Sequence, residues 1–323
     1  MKTITYSEAI REGMRKRMKE DPNVFILGED VGEFGGCFGV TGDLIKDFGE
    51  ERVRDTPISE GAIVGCAVGA AATGLRPIAE LMFIDFVTVG MDQLVNQAAK
   101  MRYMFGGKIK LPMVVRMPTG AGSRAAAQHS QSLEAWLTHV PGLKVVYPST
   151  PQDAYGLILS AIDDDNPVVF LEHKLLYAMS SEVDLDIDPI PLGLADIKRQ
   201  GEDVTIIATA KMVHEALAAA EELSKDGIEA EVVDPRTLFP LDKETIFKSI
   251  EKTNRVVIAT EETKRGSYAG EIAAIIAEEC FDYLDAPITR VCCLDTPIPF
   301  SPVLEDYVIP ASKDIVHAVK KLL

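Results

Sequence analysis

Val145-Val146-Tyr147-Pro148-Ser149-Thr150-Pro151-Gln152-Asp153-Ala154-Tyr155-Gly156-Leu157-Ile158-Leu159-Ser160-Ala161-Ile162-Asp163-Asp164-Asp165-Asn166-Pro167-Val168-Val169-Phe170-Leu171 reads as strand, helix, strand. The two short runs are β-branched and bounded by prolines. Gln152 to Ile162 between them carries apolar residues at helical spacing. Two strands joined through a helix cannot form a hairpin and pair in parallel instead, so both faces of the sheet must be covered. The same alternation spreads outward along almost the whole chain.

Upstream, Ser7 to Glu20 has a helical pattern opened by a capping box of Thr5 and Glu8. Val24 to Leu27 is a buried-strand pattern, Ala62 to Thr73 a helix of small residues, and Pro77 to Leu81 strand-like. Phe86 to Phe105 reads as one long helix, and Val114 to Met117 as another strand. The pattern lapses between Tyr177 and Pro191 in an acidic, proline-bearing stretch. A second unit follows, with strands at 204–209, 230–233, 255–260 and 288–292 and helices at 213–223, 243–251, 269–280 and from Lys313. The expected fold is α/β with two domains, each a mostly parallel sheet flanked by helices: 1–185, a linker at 186–200, and 201–323.

With 323 residues, two domains are the natural division, and 47% hydrophobic content is enough for two cores. The 33 Lys and Arg against 50 Asp and Glu leave a net charge of −17, which repels phosphate backbones and argues against nucleic acid and anionic membranes as partners. No apolar run approaches the roughly 18 residues of a membrane span. The chain enters its first helix with no signal-peptide pattern. Five scattered cysteines, Cys37, Cys66, Cys280, Cys292 and Cys293, form no C-x-x-C pair, which fits a reducing cytoplasm.

Five features bear on chemistry. Gly120-Ala121-Gly122-Ser123-Arg124-Ala125 fits G-x-G-x-x-A, but a dinucleotide site also needs a helix directly after the loop and an acid about 20 positions on; the strand at Val145 to Tyr147 ends in Pro148. No P-loop is present. His129 lies in a polar loop after a strand, where functional groups of parallel sheets gather; a loop histidine bonded to backbone is the other reading. Glu60 opens the small-residue helix, where an acid ordinarily complements the helix dipole, with catalysis as the alternative. Glu29 leaves a strand into the glycine-rich run up to Gly36, which borders a pocket or turns the chain. Asp163-Asp164-Asp165-Asn166 is a solvated helix end or an oxygen-rich cation site.

Gly28-Glu29-Asp30-Val31, Asp55-Thr56-Pro57-Ile58-Ser59-Glu60, Gly74-Leu75-Arg76-Pro77-Ile78-Ala79-Glu80 and Ala127-Gln128-His129-Ser130-Gln131 follow one another in a single register. Pro141-Gly142-Leu143-Lys144-Val145-Val146, Asp164-Asp165-Asn166-Pro167-Val168-Val169 and Asp295-Thr296-Pro297-Ile298-Pro299-Phe300 complete the series. Together they resemble the beta subunits of thiamine-diphosphate-dependent 2-oxo acid dehydrogenases, of the transketolase-like superfamily. The resemblance implies a pyrimidine-binding domain followed by a transketolase-type C-terminal domain. It also implies an alpha subunit in an α2β2 heterotetramer, which holds magnesium and the diphosphate. Here only Gly42-Asp43-Leu44 stands where a diphosphate motif would start, so half an active site is expected.

In such enzymes the cofactor's aminopyrimidine becomes the base that deprotonates its thiazolium carbon, once a carboxyl group shares a proton with the ring nitrogen. Glu60 matches that carboxyl, and a desolvated pocket suits the role because burial lifts a carboxyl pKa. Phe86 matches the aromatic that packs on the pyrimidine. Ile58, Met82 and Glu29 are expected around the same cofactor, and His129 matches the histidine that assists substrate binding and acyl transfer to lipoamide. The resemblance also implies a potassium ion at Met113, Ala161, Ile162, Asp164 and Asn166.

The runs Arg124 to Leu133 and Arg102 to Lys108 resemble the acetoin-cleaving branch most, with pyruvate dehydrogenases next and branched-chain 2-oxo acid enzymes third. The expected function is cleavage of acetoin or decarboxylation of pyruvate, passing a two-carbon unit to lipoamide on a dihydrolipoyl acyltransferase core. A non-catalytic core-docking subunit and a self-contained synthase are the rivals. Part of the acidic charge is expected to serve docking to that core.

Overall fold

Alternating strands and helices make up two units in the computed structural model, which describes residues 1–323. In chain order they are β1 (Lys2–Thr5), α1 (Tyr6–Glu20), β2 (Val24–Gly28), α2 (Leu44–Phe48), β3 (Val53–Asp55), α3 (Glu60–Ala72), β4 (Arg76–Glu80), α4 (Val87–Met91), α5 (Ala99–Met104), β5 (Val114–Thr119), α6 (Glu134–Thr138), β6 (Lys144–Val146), α7 (Pro151–Asp163), β7 (Val168–His173) and β8 (Ser180–Val183). Then come β9 (Asp196–Arg199), β10 (Val204–Ala208), α8 (Lys211–Ser224), β11 (Ala230–Asp234), β12 (Thr237–Phe239), α9 (Lys243–Thr253), β13 (Val256–Thr263), α10 (Tyr268–Glu279), β14 (Thr289–Cys293), α11 (Pro302–Val308) and α12 (Ser312–Leu322).

The first unit takes Met1–Thr119 with Trp136–Leu192. Six of its strands run parallel in the order β6-β7-β5-β4-β2-β3. Every residue of β5 and β7 is buried, as strands covered on both faces must be, and that explains why they read as continuous apolar runs. The capping box at α1 forms as its sequence suggests: Glu8 N–H donates to Thr5 Oγ1 at 3.2 Å, and Thr5 N–H donates to Glu8 Oε2 at 2.7 Å.

The second unit takes Gly120–Ala135 with Gly193–Leu323. Its sheet has the order β14-β13-β10-β11-β9, parallel except for β9. Val204, Ile206, Val232 and Val257 pack with the inner faces of α8 and α12 in its core.

Several short elements, β1, α2, β3, α6, β12 and α11, have no counterpart in the sequence expectation, and three further stretches depart from it. Asp196–Arg199, inside the expected linker, is an edge strand, antiparallel to β11 and broken by a bulge between Val232 and Val233. Its charged, half-buried residues suit an edge better than a core strand and hide the strand from an apolar pattern. Ser180–Val183, in the stretch where the pattern lapses, pairs with β1 as a two-stranded antiparallel ribbon. The expected helix from Phe86 to Phe105 is three pieces: α4, a π-helical segment at Asp92–Ala98, and α5. The π segment packs against α3, where Gln93 faces Gly61 and Gly65.

Candidate functional site

Parallel strands end on one edge of a sheet, and the loops leaving that edge build ligand sites. In the first unit β2 ends at Gly28, β3 at Asp55 and β4 at Glu80, with the three ends in register. Gly28 is required by close approach, because a Cβ there would lie 2.8 Å from the Glu80 carbonyl oxygen and 3.0 Å from Val31 Cγ1. Asp55 ties down the loop after β2, its Oδ1 accepting from Gly32 N–H at 2.6 Å. This is the structural use of the acid that begins the motif running to Glu60.

Glu29 and Glu60 meet here. Both are 7% exposed, Glu29 at the exit of β2 and Glu60 in the first turn of α3. Burial lifts the Glu29 carboxyl above its ordinary value, and the negative charges of Glu60, Asp30 and Glu80 lift it further. Glu29 Oε1 is buried with no hydrogen-bond partner in the chain. The Glu60 turn packs tightly against α4: a Cβ on Gly90 would meet Val64 Cγ2 at 3.1 Å and the Glu60 carbonyl oxygen at 3.2 Å. Glycine at position 90 therefore lets the glutamate's own backbone seat.

After β4 the chain passes Met82, half-buried, to Phe86, which meets Phe83 edge to face at 6.0 Å. Phe83 in turn meets Phe38 at 5.4 Å, and Lys174 Nζ lies 5.2 Å from the Phe83 ring centre. Ile58 stands 81% exposed in the segment before α3, so within this chain it lines no enclosed pocket.

Beneath this edge lies a charged cluster that the sequence reading missed. Arg116, fully buried in β5, donates to Glu80 Oε2 at 2.5 Å and to Glu172 at 2.7 and 2.8 Å. Tyr177 O–H adds a bond to Glu172 Oε2 at 2.7 Å. Burial raises the Glu80 pKa, Arg116 opposes that rise and Glu172 adds to it. Burial works against the Arg116 charge, yet the two carboxylates outweigh it and hold the guanidinium above its usual pKa. Arg116 between Val115 and Met117 was the available signal, since an ion inside a doubly covered strand must be paired.

Of the five positions expected around potassium, Ala161, Ile162, Asp164 and Asn166 lie at or just after the C-terminus of α7, and Met113 precedes β5. Arg76 Nη1 donates to the carbonyl oxygens of Ile162 at 2.9 Å and Asp164 at 3.3 Å. Asp164 Oδ1 accepts from Asn166 N–H at 2.8 Å, while its other oxygen accepts from Lys144 Nζ. The Met113 carbonyl oxygen accepts from Val168 N–H at 2.9 Å. Arg76 and Lys144 thus place positive charge against these oxygens, and no group of three His, Cys, Asp or Glu is arranged to hold a metal ion.

His129 belongs to the second unit, in the loop 120–135. The loop stays irregular until α6 begins at Glu134, so Gly120–Ala125 lacks the helix that a dinucleotide fingerprint needs. Three buried carboxylates receive its backbone: Ala121 N–H donates to Glu261 at 2.5 Å, Gly122 N–H to Glu305 at 2.7 Å and Ala135 N–H to Glu262 at 2.9 Å. Burial pushes Glu262 up to about 7 against the pull of the Tyr268 and Ala135 N–H groups.

Comparison with known proteins places both units. Residues 2–179 match the transketolase pyrimidine binding domain, and residues 193–315 the transketolase C-terminal domain. The chain is 53% identical to the beta subunit of acetoin:2,6-dichlorophenolindophenol oxidoreductase of Bacillus subtilis (strain 168), covering all of this chain and 98% of that one. It is 49% identical to the pyruvate dehydrogenase E1 component subunit beta of Rickettsia felis, covering 99% and 98%, and 48% identical to a Bacillus subtilis 2-oxoisovalerate dehydrogenase subunit beta, covering 100% and 99%. Among solved structures, a split-gene transketolase described as an inactive beta4 tetramer matches with a TM-score of 0.81 at 25% identity, over 99% of this chain and 98% of that one. Two transketolase-type units and near full-length identity of about half make the chain a member of the transketolase-like dehydrogenase beta-subunit family, which includes the acetoin, pyruvate and branched-chain 2-oxo acid enzymes.

Proposed function

We propose that this chain is the beta half of a thiamine-diphosphate-dependent dehydrogenase that cleaves acetoin or decarboxylates pyruvate and is active only with an alpha subunit. The observation that carries this is the buried pair Glu29 and Glu60 at the carboxyl edge of the first sheet, with Glu29 Oε1 lacking a partner within the chain. Carboxyl groups so placed suit a nitrogen heterocycle, which offers them both a donor and an acceptor. The aromatic group at Phe83 and Phe86 offers rings for it to pack against.

Thiamine diphosphate, when bound, supplies an acidic thiazolium carbon and an electron sink for the substrate carbonyl. Glu60 would hold a proton at the pyrimidine nitrogen. Its burial at the sheet edge beside Glu29 keeps it out of bulk water, which suits a carboxyl that exchanges a proton with the ring rather than with solvent. Phe86 and Met82 would orient the ring and exclude water, with Ile58 contributing its exposed side chain to a surface that a partner covers. His129 would bind substrate and assist acyl transfer to lipoamide. Potassium would bind at the α7 terminus through Met113, Ala161, Ile162, Asp164 and Asn166, sharing carbonyls with Arg76.

An alpha partner, holding magnesium and the diphosphate, is supported by the missing diphosphate motif and by exposed apolar side chains. Tyr103, Met104 and Phe105 in the first unit and Phe300, Val303 and Tyr307 in the second are all more than half exposed. Concentrations of this kind mark association surfaces. The acceptor of the two-carbon unit would be lipoamide on a dihydrolipoyl acyltransferase core. Acetoin leads pyruvate because the beta subunits from Bacillus subtilis and Cupriavidus necator named for acetoin are 53% and 52% identical. No helix is long and apolar enough to cross a membrane, and the free cysteines suit a reducing cytoplasm. Dye-linked turnover of acetoin against pyruvate by the reconstituted α and β chains tests the substrate; turnover of neither would refute the assignment.

A further inference from the structure

We propose that Glu261, Glu262 and Glu305 are positioning residues, which hold the loop 120–135 so that His129 is presented in one fixed geometry. The inference rests on the functional reading given to His129 above.

The loop needs external support. Between Gly120 and the start of α6 it has no strand or helix, and Arg124 and Ala126 sit in the left-handed region at φ 62° each. Non-glycine residues there cost about 1–3 kcal/mol apiece and persist only when their surroundings over-determine them. Within the loop, Gly120 N–H donates to the Gln131 carbonyl at 3.2 Å, closing the neck, and His129 N–H donates to the Ala126 carbonyl at 3.3 Å.

The support comes from the carboxylates. Glu305, fully buried on α11, uses both oxygens: Oε1 accepts from Gly122 N–H at 2.7 Å and Oε2 from Arg124 Nη1 at 2.8 Å. Arg124 also reaches Asp306 at 2.7 Å and the Pro302 carbonyl at 3.1 Å. Glu261 Oε1 takes Ala121 N–H at 2.5 Å. Glu262 bridges the far end, accepting from Ala135 N–H at 2.9 Å and from Tyr268 N–H, at the start of α10, at 2.8 Å. Three features of the loop, its entry, its strained corner and its exit, are thus pinned by carboxylates. Charge-assisted bonds to backbone N–H are stronger and more directional than neutral ones, which suits a clamp.

The chemistry of the clamp dictates the test. Glutamine at 305 keeps only one acceptor oxygen and must lose Gly122 or Arg124, whereas glutamine at 261 can still accept the single Ala121 N–H. Lipoamide-linked turnover of the reconstituted complex should fall about 10- to 100-fold in Glu305→Gln and in Glu261→Ala, and recover largely in Glu261→Gln. In a His129→Ala background Glu305→Gln should cost nothing more, because it acts through that ring. Independently of turnover, the His129 ring resonance of the full chain, labelled at its five histidines, should change position or broaden in Glu305→Gln. Additive losses in the double variant, or a His129 resonance unchanged in position and width, would overturn the proposal. Absence of all turnover in the wild-type complex would instead count against the enzymatic reading, with the resonance still reading the clamp.

Discussion

Glu60 is a carboxyl whose position in a first helical turn has two explanations, dipole complement or proton exchange, and only its surroundings separate them. A carboxylate serving the dipole gains most by staying charged and solvated, but this one is 7% exposed beside a second buried acid. Glu60→Gln should therefore keep fold and assembly while lowering turnover about 10²- to 10⁴-fold, roughly 3–5 kcal/mol of barrier; steady-state kinetics with a melting curve check it. Glu262 makes a second residue-scale prediction. Burial lifts its pKa from the ordinary 4.5 to about 7, so the folded chain keeps a proton that the unfolded chain has released. That contribution is complete below pH 4.5 and lost as pH rises through 7, amounting to roughly 3 kcal/mol at most. Urea unfolding followed across that window should show a loss of stability on the alkaline side that Glu262→Gln removes.

At the scale of elements, most strands and helices were legible because a doubly covered parallel sheet demands apolar strands and amphipathic helices. β5, α7 and β7 fall within two residues of their sequence pattern. β9 escaped because its charged residues are half-buried at an edge, and the break at Asp92–Ala98 because a π segment leaves the helical composition unchanged. Motif order singles out Glu60, Phe86 and His129 as candidates, and the structure places each in the segment after a strand end. The Glu80, Arg116 and Glu172 cluster was not, because its members are scattered across three strands that only the sheet brings side by side. Arg116→Met should cost about 3–5 kcal/mol by stranding two buried carboxylates, as read from urea unfolding. Gly28→Ala should cost about 1–3 kcal/mol, since its Cβ would press on the Glu80 carbonyl and spread β2 from β4.

For the whole molecule, the proposed half-site and the exposed apolar residues point the same way, to a chain that works within an assembly. On the proposed function its −17 charge would attract a basic docking domain of the acyltransferase core, and that binding should weaken steeply with added salt, given a screening length of about 10 Å at 0.1 M. Calorimetry at two salt concentrations reads this, and salt-insensitive binding would remove charge from the account. The most direct measurement is dye-linked acetoin turnover with thiamine diphosphate by three samples: this chain alone, this chain with the alpha subunit, and Glu60→Gln with the alpha subunit. Full turnover only in the second sample is predicted, with none in the first and at least about 100-fold less in the third; vigorous activity of the chain alone, or of the Glu60→Gln complex, would contradict the shared site and the carboxyl at its centre.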